Sequence, residues 1–195
     1  VALAGPLHRF FGGRDATPQP WLDLEVTCYL VSINAYAMRV AKRFKWEAAH
    51  RLPWHDGQCC NLHGHSYRMT VELEGRPDER GMLIDFQHIK RVLKPLIASW
   101  DHAVLIGAGD DALADALAQL GTRTFTFPTD TTTENICAYV VHYLGTRALQ
   151  TLQAHNVETI RVRLAETETC YAEMEQTVAH FAARSPDQAK VRTSA

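Results

Sequence analysis

From Met38 onward the chain alternates between apolar and polar positions. Met38, Val40, Phe44, Trp46, Ala48 and His50 fall on one side of an extended segment, interrupted by Lys42. Arg39, Arg43, Lys45 and Glu47 fall on the other. Period two with one apolar and one polar side predicts an antiparallel strand with one wet face. Residues 51–62 carry Pro53, Asp56 and Gly57 and read as a loop. A second strand follows, with His63, His65, Tyr67, Met69, Val71 and Leu73 on one face and Ser66, Arg68, Thr70, Glu72 and Glu74 on the other. Asp85 then caps a helix whose apolar stripe is Phe86, Ile89, Leu93, Leu96, Ile97 and Trp100, with a kink expected at Pro95.

Further along, residues 110–120 predict a short helix and 124–127 a short extended piece. A second main helix, capped by Thr131 or Thr132, runs to about Ala154. Ile160, Val162, Leu164 and Glu166 share one face of a third strand, and 170–174 predict a fourth. Two strands, then helices, then two strands describe an α+β domain: an antiparallel sheet with two main helices on one face. Residues 1–37 form an N-terminal extension whose status the pattern leaves open. Within it, 21–37 suits an extra strand or surface packing. Residues 38–183 form a single domain, and 184–195 a polar, mobile tail.

Composition narrows the function classes. A net charge of -2 suggests neither a nucleic-acid groove nor an anionic membrane partner. No apolar run approaches the length of a transmembrane helix. The five cysteines are odd in number and irregularly spaced, which suits a reducing cytoplasm better than a disulfide framework. Cys28, Cys137 and Cys170 read as small core residues.

Several of the ten histidines cluster. His63 and His65 are two apart in a strand, so both imidazoles lie on one side. Gly64 between them would let the backbone pass close to whatever they hold. His50 ends the apolar face of the neighbouring strand. Three imidazoles on adjacent strands suit one zinc ion with an open fourth position, the pattern of catalytic zinc. Cys59 precedes His63 in the loop. As a thiolate near a cation it suits a fourth ligand, a base or a nucleophile, and Cys60 is its rival in each role. Asp101-His102 suits an acid–base pair, although sequence neighbours rarely bond to each other. Glu166 places a carboxylate on an apolar face, which suits either a strand end emerging into water or a partner such as the two N–H groups of a pterin or guanine edge.

Together these residues resemble the 6-pyruvoyl-tetrahydropterin synthase superfamily over about Met38 to Met174. The resemblance is carried by Trp46-Glu47-Ala48-Ala49-His50, by Cys59-Cys60-Asn61-Leu62-His63-Gly64-His65 and by Ile84-Asp85-Phe86. It continues through Trp100-Asp101-His102, Pro128-Thr129 with Thr133-Glu134-Asn135, and Ala165-Glu166-Thr167. It implies the T-fold, assembled as a homo-oligomer, a hexamer or similar, whose sheets close a barrel with active sites between subunits. It also implies Zn2+ on His50, His63 and His65, Cys59 as base, Asp101 and His102 as an acid–base relay, and Glu166 as the pterin anchor. Three residues separate Cys59 from His63, as in the branch that makes 6-carboxytetrahydropterin, acetaldehyde and triphosphate from 7,8-dihydroneopterin triphosphate for queuosine synthesis. The pyruvoyl-forming branch has a longer insert and is the nearest alternative. Cys60 and the extension depart from the usual pattern. A non-catalytic zinc or pterin-binding module is the alternative of another class. A zinc hydrolase is less suited, because no carboxylate lies close in sequence to the ligands. Arg51 and Lys42 are the candidates for the phosphates.

Overall fold

The computed structural model describes residues 36–184, so the expectations for 21–35, for Cys28 and for the tail beyond 184 fall outside the described residues. In chain order the elements begin with β1 (Met38–His50), β2 (His63–Gly75), α1 (Phe86–Trp100) and β3 (Ala103–Ile106). Next come α2 (Asp111–Gln119), β4 (Thr124–Thr126), α3 (Thr133–Arg147) and α4 (Leu149–Ala154). Last are β5 (Val157–Ala165), β6 (Tyr171–Thr177) and α5 (Val178–Ala182).

β1 and β2 pair antiparallel from Met38 opposite Gly75 to His50 opposite His63. The alternation buries Trp46, Ala48, Tyr67, Met69, Val71 and Leu73 and leaves Arg39, Lys45 and Glu47 in solvent. β5 adds antiparallel to β2, and β6 antiparallel to β5. Gly75 is needed at the β2–β5 bulge, because a Cβ there would lie 2.2 Å from the Asn156 carbonyl oxygen. The wet face carries cross-strand ion pairs, Arg39–Glu74 (2.5 Å) and Arg163–Glu173 (2.7 Å) among them. Exposed pairs of this kind set register more than stability.

The sheet order is β4-β3-β1-β2-β5-β6, and β3 and β4 join in parallel. The sheet is therefore mixed, with the expected antiparallel strands as its larger part. β3 carries no alternation because both its faces are covered. Leu105 enters the main core, while Val104 and Ile106 pack with Leu113 and Leu117 of α2. A four-residue apolar run of this type has no period to reveal it.

α1 and α3 share the core face of the sheet. α1 buries Ile89, Leu93, Leu96, Ile97 and Trp100, and runs on through Pro95. Phe86, expected in the stripe, is exposed. Asp85 caps α1 through Gln87 N (2.8 Å). Thr132 caps α3 through Asn135 N (3.2 Å). The single helix expected to reach Ala154 instead breaks at Ala148, giving α3 and α4. Cys137 is buried as expected, whereas Cys170 is exposed.

Candidate metal and pterin site

The antiparallel register sets the site. His50 ends β1 directly opposite His63, which starts β2, and His65 follows on the same face. Ring centroids lie 4.7 Å apart for His50–His63, 4.8 Å for His63–His65 and 5.2 Å for His50–His65. One ligand nitrogen from each ring falls within 4.8 Å of the others. Gly64 is exposed between them on the opposite face, and a Cβ there would meet only the Ala48 carbonyl oxygen at 3.5 Å. Its expected role beside the ligands is therefore not what the backbone shows.

The tautomers follow from backbone carbonyls, which only accept. His50 Nδ1 donates to Thr131 O (2.8 Å) and His63 Nδ1 donates to Asn61 O (2.8 Å). With the proton on Nδ1, the neutral form of each ring has a bare Nε2 lone pair, as metal-bound imidazoles need. His50 Nε2 is buried without a hydrogen-bond partner among the described residues. Burial holds the pKa of His50, and of His65, below the ordinary imidazole value. Neutral rings with an orphaned buried nitrogen fit a divalent ion with imidazole affinity. Thr131, expected only as a possible cap, is fully buried and supplies the carbonyl that orients His50. Below the cluster, Tyr67 stacks on Trp46 (centroids 5.2 Å apart, planes 11° apart). Burial, and then Glu166, push its phenol pKa up.

Glu166 follows β5 on the core side, and its Oε1 lies 3.8 Å from His50 Nε2. A carboxylate remote in sequence thus stands beside the imidazoles. Cys59 lies half-buried in a 3-10 turn, Gln58–Cys60, whose Cys59 carbonyl accepts from Leu52 N (2.9 Å) and folds the loop back onto the end of β1. Among the described residues the cluster comprises three histidines and no sulfur. Cys137 is a different kind of thiol: its Sγ–H donates to Val162 O, and burial pushes its pKa up to about 11. It is inert at neutral pH.

Asp101 and His102 do contact each other, with Asp101 Oδ1 3.0 Å from His102 Nδ1. The left-handed backbone of His102 (φ 56°) turns the chain sharply between the two residues. Glu47 holds this turn from β1: its N–H donates to Asp101 Oδ1 (3.1 Å), and its carbonyl accepts from His102 N (2.7 Å). Among the described residues no hydrogen bond or ion pair joins this dyad to the histidine cluster.

Neither phosphate candidate is free at the site. Arg51 donates to buried Asp110 through Nε (2.7 Å) and Nη2 (2.5 Å). Lys42 lies eight residues from His50 along β1, roughly 26 Å at the rise of a strand. The Arg51 guanidinium holds the Asp110 carboxyl below the usual carboxylate range. The stability this contributes is present above the unfolded value near pH ~4 and is lost as pH falls through the lowered folded value. Asp110→Asn is expected to cost about 2 kcal/mol at pH 7 by denaturant titration, with the gap to the parent closing below about pH 4. An equal gap at pH 7 and pH 3 would show that the pair is not the source.

The 6-pyruvoyl tetrahydropterin synthase family matches residues 39–177. The 6-carboxy-5,6,7,8-tetrahydropterin synthase of Haemophilus influenzae is 32% identical over 146 residues, covering 71% of this chain and 99% of the relative. That of Aquifex aeolicus is 30% identical over 159 residues, covering 70% and 97%. The structure of Plasmodium falciparum 6-pyruvoyl tetrahydropterin synthase superposes with a TM-score of 0.59 at 18% identity, over 72% of this chain and 98% of that one. The Caenorhabditis elegans enzyme gives 0.51 at 22% identity, over 72% and 96%. These structural likenesses show the shared fold.

Proposed function

The chain belongs to the 6-pyruvoyl tetrahydropterin synthase family. From that premise we propose that it converts 7,8-dihydroneopterin triphosphate and water into 6-carboxy-5,6,7,8-tetrahydropterin, acetaldehyde and triphosphate, on the route to queuosine. The observation that carries this reading is the short loop in which three residues separate Cys59 from His63. The relatives named as 6-carboxy synthases support it.

His50, His63 and His65 hold the metal, which we assign as zinc. Bound there, zinc supplies Lewis acidity to the hydroxyl groups of the substrate side chain. The Nε2 atoms of His50 and His63 with one ring nitrogen of His65 supply this donor set, and its lack of sulfur speaks for a reactive rather than a structural centre. Glu166 accepts the pterin N–H groups beside the cluster. Cys59, folded back by the 3-10 turn, removes a side-chain proton. The Asp101–His102 dyad relays protons, with Asp101 holding the imidazole in one orientation. Because among the described residues no hydrogen bond or ion pair joins the dyad to the cluster of its own chain, we assign it to the site of a neighbouring copy in a homo-oligomer. Among the described residues no helix is long and apolar enough to cross a membrane. The described cysteines are free, and we place the protein in the cytoplasm.

Incubation of the zinc-loaded protein with 7,8-dihydroneopterin triphosphate, followed by mass spectrometry, is expected to give the carboxy-pterin and acetaldehyde in equal amounts. A dominant pyruvoyl product would overturn the argument from loop spacing. Zinc binding without any product would favour a binding module.

A further inference from the structure

The Asp101–His102 turn has a second support besides Glu47. Helix α1 ends at Trp100 with no basic residue in its last turn, so its C-terminal carbonyls lack a cation from their own helix. Arg123, just before β4, supplies one from across the fold. Its Nη2 donates to Ala98 O (2.5 Å) and its Nη1 to Asp101 O (3.4 Å). The Arg123 carbonyl accepts from Val104 N (2.9 Å), two residues beyond His102. One residue therefore touches the chain on both sides of His102.

That placement matters because of what the turn must hold. His102 is one of two described non-glycine residues with positive φ, a conformation that persists only when its surroundings enforce it. Its side chain is 77% exposed, so packing does not fix the imidazole. Besides the helical bond from Asp101 N to Ile97 O, Glu47 and Arg123 hold the turn. Glu47 grips Asp101 Oδ1 and His102 N, and Arg123 grips the carbonyls of Ala98 and Asp101. We infer that Arg123 is a positioning residue for the acid–base pair, bracing the end of α1 so that Asp101 and the left-handed His102 keep their close contact. This rests on the reading of Asp101 and His102 as the proton relay. The charge acts in the same direction as the geometry: the Glu47 N–H first, then His102 and Arg123, hold the Asp101 carboxyl below its ordinary range. Loss of Arg123 therefore raises the pH at which Asp101 takes up a proton.

The test compares Arg123→Ala and Arg123→Lys in the full chain by two independent readings. Hydrogen exchange over residues 99–104 needs no substrate. The alanine variant is expected to exchange about tenfold faster there, and the lysine variant to recover part of the protection. In turnover, Arg123→Ala is expected to lower kcat about tenfold and move the acid limb of the profile to higher pH, with KM and bound metal unchanged. Lysine is expected to restore the acid limb more than kcat, since it keeps the charge but not the planar fork. Parental exchange over 99–104 in Arg123→Ala overturns the inference whether or not the chain turns over. Faster exchange with unchanged kcat and acid limb overturns it too, since the brace would then be structural only. An inactive parent chain would instead count against the proposed reaction, and the exchange reading would still decide whether Arg123 holds the turn.

Discussion

Cys59→Ala is expected to lower kcat by about 10³-fold while leaving one metal ion per chain, because loss of a positioned base typically costs 10²–10⁴-fold. The expectation separates two roles for the same thiol. A base beside the metal can be removed without weakening the hold on the ion, whereas loss of a fourth ligand weakens it. The three-histidine cluster contains no sulfur among the described residues, which favours the first. Cys60 is the internal comparison. It sits in the same 3-10 turn and is equally half-buried. Cys60→Ala is expected to stay within about threefold of the parent, far above the loss that removing a base causes. If the effects of the two substitutions are reversed, the base is Cys60 and the loop spacing has been counted from the wrong residue.

His63→Ala is expected to release the metal at micromolar concentration and to remove activity beyond detection. His63 is the proposed ligand to change because it is half-exposed at the start of β2. His50, by contrast, is 2% exposed, and its removal would leave a hole beside Tyr67. The apo parent and the His63→Ala chain are expected to unfold within a few degrees of each other. The metal-loaded parent is expected to unfold higher, since binding to the native state alone adds RT ln(1 + [L]/Kd). Retained metal with lost activity would make His63 a proton carrier rather than a ligand.

Much of the site was legible in the sequence because a strand has period two. Once Trp46, Ala48, Tyr67 and Met69 were assigned to the buried face, His50, His63 and His65 had to follow them onto it. The same alternation carried past Leu164 puts Glu166 on the cluster side, where it stands 3.8 Å from His50 Nε2. The missed features have physical causes. β3 is covered on both faces and so carries no period. The bend at His102 needs a left-handed residue, and histidine adopts that state too rarely for its presence to signal it. The Thr131 carbonyl that orients His50 belongs to the backbone, which every residue shares. The placement of the dyad away from the cluster is set by tertiary structure, to which the alternation of a single strand is blind.

The measurement that bears most directly on the account is the absorption spectrum of the cobalt-substituted protein, recorded with metal stoichiometry. Three imidazoles and an open position predict one cobalt per chain, visible d–d bands and no intense sulfur-to-cobalt charge transfer, with the visible bands shifting when substrate is added. An intense near-ultraviolet charge-transfer band lost in Cys59→Ala would contradict it, because the fourth position would then be filled by sulfur and the centre would be structural.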